Sequence, residues 1–393
     1  MHYFRTQLPE MLTKLEEIVN IDSGSRFKDG VDEVGDRLAR EYKKIGFTVK
    51  VHENKTLGNN LVLKHKSVKD PKILVIAHMD TVFPEGTAKE RPFRIENGYA
   101  YGPGVADMKA SQISLLYAMK YLQSLDPDAL KNVVIILNAD EEIGSRSSRT
   151  LIEHYSRLVD YALVMEPARK DGSVVSSRRG GGRYIMRVRG KAAHSGVAPK
   201  EGISAIQELA YKITKLHQLS DHDNGVSINV GKIEGGRSTS VIPDSAVGYV
   251  DVRVQNKKQG RDVTEQIETI CAESDVEGTT IDLEGGINRP PMEFDEKNQE
   301  LLAIVKSVGE KHGITVTDTH TGGGSDASFP SYLGVATIDG MGPIGDKMHN
   351  EGENVLVESL PERTLLLAET IRELSRQNER KVATAKENSK QFA

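Results

Sequence analysis

The sequence predicts an α/β protein, a mostly parallel sheet with helices on both faces, interrupted by an inserted α+β domain of β-α-β-β-α-β order. Three observations carry this. Helical and strand patterns alternate from Leu8 to about Val175, the arrangement of a parallel sheet covered by crossover helices. Three short apolar runs, Ile73–Ala77, Val133–Asn138 and Tyr161–Met165, are continuous rather than alternating, as strands buried on both faces are. Near Arg178 the pattern changes to strict polar–apolar alternation, and it changes back after Asn288-Arg289-Pro290-Pro291. The 393 residues exceed one ordinary core. The expected division is residues 1–178 with 289–393 for the main domain and 179–288 for the insertion.

The elements follow in order. The N-terminal twenty residues read as an amphipathic helix; Glu10, Glu16 and Glu17 and the lack of an apolar core region set it apart from a signal peptide. Val34, Leu38 and Tyr42 mark a second helix, stopped by Gly46. Thr48–His52 and Asn60–Lys64 pair as early strands. Met108–Leu125 carries Ile113, Leu116, Met119 and Leu122 along one stripe. In the insertion, strands at 183–190, 226–234, 247–253 and 279–284 are separated by helices at 202–219 and 260–274, a small sheet with helices on one face. A helix at 298–312, the loop TGGGSDAS, a strand at 335–338 and a helix at 361–376 return to the first pattern. The last residues, from Gln377, are polar and are expected to fray.

Composition narrows the function classes. Lys+Arg 52 against Asp+Glu 57 gives a net charge of −5, which argues against nucleic acid as a partner. No apolar stretch approaches the ~20 residues that span a membrane. The single cysteine, Cys271, excludes an intramolecular disulfide framework and an all-thiolate metal site, and suits the reducing cytoplasm.

The chemistry sits where the apolar runs end. His78, Asp80, Asp107, Glu141, Glu142 and Glu166 form a series of metal-type ligands. The crevice at the carboxyl ends of parallel strands is where α/β sheets bind ligands. Clustered carboxylates raise each other's pKa and call for a counter-charge, and this donor set suits a divalent cation. His78 and Asp80, two apart at a strand end, point to the same side, so Asp80 can accept one ring N–H while the other nitrogen binds a metal. A buried histidine satisfied by a local aspartate is the plainer alternative. Asp107 follows Gly102-Pro103-Gly104 and reads as a ligand on a tight turn or as a helix N-cap. Adjacent Glu141 and Glu142 repel unless their tasks differ, one holding a cation and its neighbour taking a proton from water. Glu166 precedes Pro167 and repeats the pattern on a third strand. His194 reads as solvent-facing on its own. His349, after the last strand, can close the cation site from the far side.

The ordered series HMD, GPGxxD, EE, EP, HSG and a late His-Asn resembles a family of co-catalytic zinc exopeptidases and deacylases, which includes glutamate carboxypeptidase, acetylornithine deacetylase, succinyl-diaminopimelate desuccinylase, peptidase T and aminoacylase. The resemblance covers nearly the whole chain. RPFRIENGYAYGPGVADMK, GSRSSR, HSGVAPKEG, VIPDSAVGYVDVR and TGGGSDAS are similar to the glutamate carboxypeptidase branch. It implies two Zn2+ per chain, with Co2+ or Mn2+ as substitutes. Asp107 would bridge the ions, His78 and Glu166 would complete one shell, and Glu142 and His349 the other. Glu141 would be the general base and Asp80 would orient His78. His194 would stabilise the oxyanion, in its own chain or across a dimer formed by the insertion. Arg253 would bind a substrate carboxylate, the Gly322–Gly324 loop (Gly323 and Gly324 above all) would line the pocket, and the Asp107–Met108 peptide would be cis. One departure is Ser240, where the branch has an asparagine that donates to substrate. Glu166, rather than aspartate, points away from an aminopeptidase. The implied activity is hydrolysis of a small peptide or N-acyl amino acid next to a free carboxylate. An N-acyl amino acid deacylase, a di- or tripeptidase and a silent metal-binding module are the alternatives.

Overall fold

The computed structural model describes residues 1–391, with side chains described through Asn378. The chain divides into two compact units, one made of Met1–Ser177, Phe294–His320 and the residues from Ser325 onward, the other of Arg178–Glu293 and Thr321–Gly324.

The first unit begins with α1 (His2–Val19), α2 (Lys28–Lys44), β1 (Phe47–His52), β2 (Asn60–His65) and β3 (Ile73–His78). It continues through β4 (Arg94–Glu96), β5 (Tyr99–Tyr101), α3 (Ala110–Leu125), β6 (Val133–Asn138), α4 (Arg149–Ser156) and β7 (Tyr161–Val164). The second unit contributes β8 (Gly180–Arg189), β9 (Ala193–His194), α5 (Ala205–His217), β10 (Ser227–Gly235), β11 (Val241–Ile242), β12 (Ser245–Val254), α6 (Lys257–Ala272) and β13 (Thr280–Arg289). The chain then returns to the first unit with α7 (Glu296–Lys311), β14 (Ala336–Ile338), β15 (Gly345–Asp346), β16 (Asn354–Leu356) and α8 (Ser359–Gln391).

The main sheet of the first unit has the order β1-β2-β6-β3-β7-β14. The pairs β6–β3, β3–β7 and β7–β14 are parallel, and β1 and β2 add an antiparallel edge. Every residue of β3 and β6 is buried, which explains their unbroken apolar sequences. Ile73 pairs with Val133 and His78 with Asn138, so the two strands end level and present their last polar residues side by side. Helix α3 is buried over almost its whole length rather than along one stripe. Burying each of Ile113, Leu115, Leu116, Met119 and Leu122 is worth about 1.5–3 kcal/mol.

A second sheet, β15-β16-β5-β4, has no counterpart in the sequence expectations. Asn97 and Gly98, with φ of 50° and 81°, turn β4 into β5. Asn-Gly is the residue pair such a turn demands. The tail expected to fray instead continues α8 to Gln391, since it contains no Gly or Pro and is rich in Ala, Lys, Glu and Gln, good helix formers. Residues 392–393 lie outside the described residues.

The second unit is an antiparallel sheet, β10-β12-β8-β13, joined by helices α5 and α6, with a short β9–β11 pair beside it. Its alternation is strict: Tyr184, Met186 and Val188 of β8 are buried with Val250 and Val252 of β12, between exposed or half-exposed neighbours. The unit extends beyond the expected residue 288, because β13 runs to Arg289 and the Met292 carbonyl accepts from the Arg178 amide (2.9 Å). Thr321–Gly324 belongs to it as well. The Arg179 amide donates to the Thr321 carbonyl (3.1 Å), and the Arg178 guanidinium to that of Gly323 (3.0 Å). Among the described residues no helix is long and apolar enough to cross a membrane.

Candidate active site

The carboxyl edge of the main sheet gathers the ligand-type residues of the first unit. His78 ends β3, Glu141 and Glu142 lie in the single 3-10 turn after β6, and Glu166 follows β7. Asp107 lies in the irregular turn Val105–Lys109 ahead of α3, with φ −115° and ψ 87°, and the Asp107–Met108 peptide is cis. Its carboxylate makes no helix cap, so the capping alternative is not the one adopted. Gly104 opens this turn at φ 71°, where an added Cβ would stand 2.3 Å from Cγ2 of Thr81. His349 is held at φ 63° in the loop between β15 and β16.

Asp107 is the centre of the cluster. Its Oδ1 is 3.0 Å from Nε2 of His78, and its Oδ2 is 3.2 Å from Nε2 of His349. Glu142 Oε2 lies 3.1 Å from the same His349 nitrogen, and Glu166 Oε1 lies 3.8 Å from His78 Nε2. Two groups result, His78–Asp107–Glu166 and Asp107–Glu142–His349, each with ligand atoms within 4.8 Å of one another. They share Asp107.

Asp80 does more than face His78. The closest partner of His78 Nδ1 is the Asp80 backbone carbonyl at 2.8 Å; Oδ1 of the side chain is at 3.5 Å. A carbonyl accepts only, so Nδ1 carries a proton and Nε2 is the nitrogen that faces the cluster. The Asp80 carboxylate accepts instead from the amides of Glu141 (3.1 Å) and Glu142 (3.2 Å) and from the Ser25 hydroxyl (2.7 Å). It thereby fixes the turn that carries the acidic pair.

The electrostatics are those of excess negative charge. Burial raises the Glu166 carboxyl well above the usual range, and the charges of Asp107 and Glu141 add to it. Burial also raises Glu142, with His349 opposing and Asp107 adding. Asp107 is buried too, yet His349 and His78 hold its carboxyl below the ordinary value. Both imidazoles are drawn toward their charged forms: His78 despite burial, by Asp107 and Asp80, and His349 to about 10, by Asp107 and Glu142. Oε1 of Glu142 is buried with no hydrogen-bond partner. Two imidazole nitrogens and three carboxylates, one of them with an unpartnered buried oxygen, fit divalent cations of the zinc, cobalt or manganese type.

The second unit holds the other expected residues. His194 and Ser240 are neighbours there, since β9 pairs with β11 and the Ser195 amide donates to the Ser240 carbonyl (2.9 Å). His194 is exposed, and its Nδ1 accepts from the amides of Gly196 and Val197, both at 3.1 Å. The proton therefore resides on Nε2, which is left to donate. The Ser240 hydroxyl is 3.1 Å from that of Ser238. Arg253 does not present its whole fork: Nε and Nη2 bind the Asp251 carboxylate at 2.8 and 3.0 Å. Its Nη1 packs over Gly181, where a Cβ would stand 3.0 Å away. Gly324 packs against Arg289, and the Gly323 carbonyl is engaged by Arg178.

Several supporting residues escaped the sequence reading. Ser25 holds Asp80, and Asn138 donates to Asp326 (2.6 Å), which also receives the Ser145 hydroxyl. Asp140 accepts from the Ser147 amide and the Ser148 hydroxyl, both at 2.6 Å, and so anchors the far end of the Glu141–Glu142 turn. Glu353 accepts from two amides of the Asp107 turn. Only the nearness of Asp140 to the acidic pair was a local signal; the other contacts join distant segments.

A cluster of this kind on this fold defines a hydrolase of Peptidase family M20/M25/M40, whose family model matches residues 74–373, and the chain belongs to that family. Carboxypeptidase G2 from Pseudomonas sp. (strain RS-16) is 29% identical over 374 residues, 93% of this chain and 89% of that protein. A succinyl-diaminopimelate desuccinylase from Hydrogenovibrio crunogenus is 25% identical over 385 residues, 93% of this chain and 97% of its own. The structure of aminopeptidase PepT from Bacillus cereus ATCC 10987 superposes with a TM-score of 0.75 at 26% identity, covering 94% of this chain and 99% of that one.

Proposed function

We propose that the chain is a dinuclear metallohydrolase that cleaves the amide or peptide bond of a small N-acyl amino acid or peptide bearing a free carboxylate. The observation that carries the reading is the pair of ligand groups sharing Asp107, with Glu141 beside one of them. His78, Asp107 and Glu166 would hold one ion, and Asp107, Glu142 and His349 the other. Two Zn2+, or Co2+ or Mn2+, would supply Lewis acidity to a carbonyl and lower the pKa of water. Glu141 takes the proton of the attacking water and delivers it to the leaving amine. Asp80 holds Glu141 in place through its amide. His194, protonated on Nε2, donates to the carbonyl oxygen as charge develops there. Arg253 binds the substrate carboxylate through Nη1, the nitrogen that Asp251 leaves, Ser240 donates a further hydrogen bond, and the Gly323–Gly324 backbone lines the pocket.

Glu141→Gln tests this most directly. It should lower kcat by about 10²–10⁴-fold with metal content unchanged. Substantial activity at full occupancy would remove Glu141 as the base. The likeness to carboxypeptidase G2 supports a peptide or acyl-amino acid with a terminal carboxylate. The desuccinylase relative, together with Ser240 at a substrate-facing position, supports a deacylase as the second reading. A panel of N-acetyl, N-succinyl, N-benzoyl and dipeptide substrates separates the two. The second unit also pairs two copies of the chain, as supported by exposed Ile206 and Tyr211 on α5 and Ile233 on the edge strand β10. A monomer by sedimentation at high concentration overturns that assignment. The lone cysteine supports a reducing, cytoplasmic setting.

A further inference from the structure

Asp107 and His349 lie far apart in sequence, and one buried side chain joins their two segments. Glu353 is 2% exposed and stands four residues beyond His349. Its Oε1 accepts from the amides of Ala106 (2.8 Å) and Asp107 (3.0 Å). The neighbouring amides of the same turn find backbone acceptors: Val105 donates to the Gly102 carbonyl (3.2 Å) and Lys109 to that of Gly104 (2.9 Å). Asp107 and Met108 leave helical geometry, so the Ala106 and Asp107 amides are met by a side chain instead.

Glu353 is itself firmly placed. Its amide donates to the Asn350 carbonyl (3.0 Å), and the next residue, Asn354, enters β16 opposite Tyr101, the last residue of β5. The Asp107 turn leaves from β5, and the His349 loop arrives at β16. Glu353 therefore sits at the seam where both begin. His349 needs such a tie, because its side chain is 52% exposed, whereas Glu142, its partner, is 6% exposed.

We propose that Glu353 is a positioning residue that sets the spacing between Asp107 and His349 and thereby the affinity of the metal position those two share with Glu142. The inference rests on the dinuclear reading above. The side chain touches neither ion site directly; it acts by fixing the backbone of one ligand relative to the loop of another. Residues of this kind alter metal affinity by about 10–100-fold when removed.

The test is a Zn2+ titration against a chromophoric chelator, with the Co2+ visible spectrum as a second readout, on wild type and three variants. Glu353→Gln keeps an acceptor oxygen and should bind both ions within about threefold of wild type. Glu353→Leu removes the acceptor and should weaken one ion by at least about tenfold while the other changes little, with an altered Co2+ spectrum. Activity at limiting metal should fall and recover with excess. Glu353→Asp retains the carboxyl group but withdraws the acceptor, so it should lie between Gln and Leu; it carries the test should Leu fail to fold. Two tightly bound ions in Glu353→Leu overturn the proposal. So does Asp binding as wild type while Gln does not, which would make the carboxyl group itself rather than the acceptor at Oε1 the active feature. Fewer than two ions in the wild type overturns the dinuclear reading itself, a result visible before any variant is made.

Discussion

Glu208 in the second unit and Glu166 in the first are both buried carboxylates, and their surroundings push them in opposite directions. Glu208 and Lys212 are fully buried one turn apart on α5, 3.0 Å from each other. The Glu208 carboxylate also receives the amides of Asp275 (3.1 Å) and Val276 (2.5 Å) and the Thr279 hydroxyl (3.1 Å). Lys212 reaches on to Asp275 (2.7 Å). Burial alone would raise Glu208, but the two amides and Lys212 hold it below its ordinary value. Glu166 has burial and the negative charges of Asp107, Glu141 and Asp339, and is raised. One cluster has a donor from the chain for nearly every acceptor. The other gathers acceptors and leaves Glu142 Oε1 without a donor. A buried charge network complete within the chain is structural; one that the chain leaves short of positive charge marks a ligand site.

The strongest way to break this comparison is to remove the shared ligand. Asp107→Ala should cost several kcal/mol of transition-state stabilisation, about a thousandfold or more in kcat/KM, because it removes a donor from both groups. In metal-free protein Glu166→Gln should raise the melting temperature, since burial and the charges of Asp107, Glu141 and Asp339 disfavour its carboxylate. A lower melting temperature without metal would mean that the acidic cluster is part of the scaffold after all.

The opposite response is expected in the second unit. Glu208→Ala leaves the buried Lys212 ammonium with Asp275 alone and strips the Asp275 and Val276 amides of their acceptor, at a cost of about 3–5 kcal/mol in urea unfolding. The kcat of the folded fraction should be unchanged. The pH dependence has a definite sign. The folded-state pKa of Glu208 is lowered, so its contribution is fully present above the ordinary carboxylate value of 4.5 and is lost as pH falls through the lower folded value. Lys212 is raised above 10.5, so its contribution is present below that value and fades only in stronger alkali. Wild type should lose stability more steeply than Glu208→Ala as pH falls below about 4.5. Parallel acid profiles for the two proteins would show that the network is not ionised when folded.

Most of the ligand set was legible because it follows β3, β6 and β7, whose apolar sequences admit little besides a buried parallel sheet. Asp80 was legible as a site residue but not in its main task, because its contacts with the Glu141 and Glu142 amides depend on how two strands end level. The contacts of Ser25 with Asp80 and of Glu353 with Asp107 span 55 and 246 residues, and neither end carries a local pattern that announces the other. Arg253 in VDVR reads as an open fork until Asp251, two residues earlier on the same face of β12, is seen to occupy one edge. The Asn97-Gly98 turn did carry its signal. Strands of three residues on either side were too short to stand out by alternation.

Ser240 gives the smallest expected effect and the finest comparison, since it is polar and exposed where the two clusters are buried. Its hydroxyl is met by Ser238, and both are open to water, so an exchanged hydrogen bond there is worth about 1 kcal/mol. Asparagine places its amide one bond further out and offers two donors. Ser240→Asn should therefore change kcat/KM by about three- to tenfold, shift the ranking of acyl groups in the substrate panel, and leave unfolding within about 0.5 kcal/mol of wild type. An unchanged ranking would remove Ser240 from the substrate contacts and return the choice of acyl group to His194 and Arg253. A stability loss above 1 kcal/mol would instead place Ser240 among the groups that hold the β9–β11 pair together.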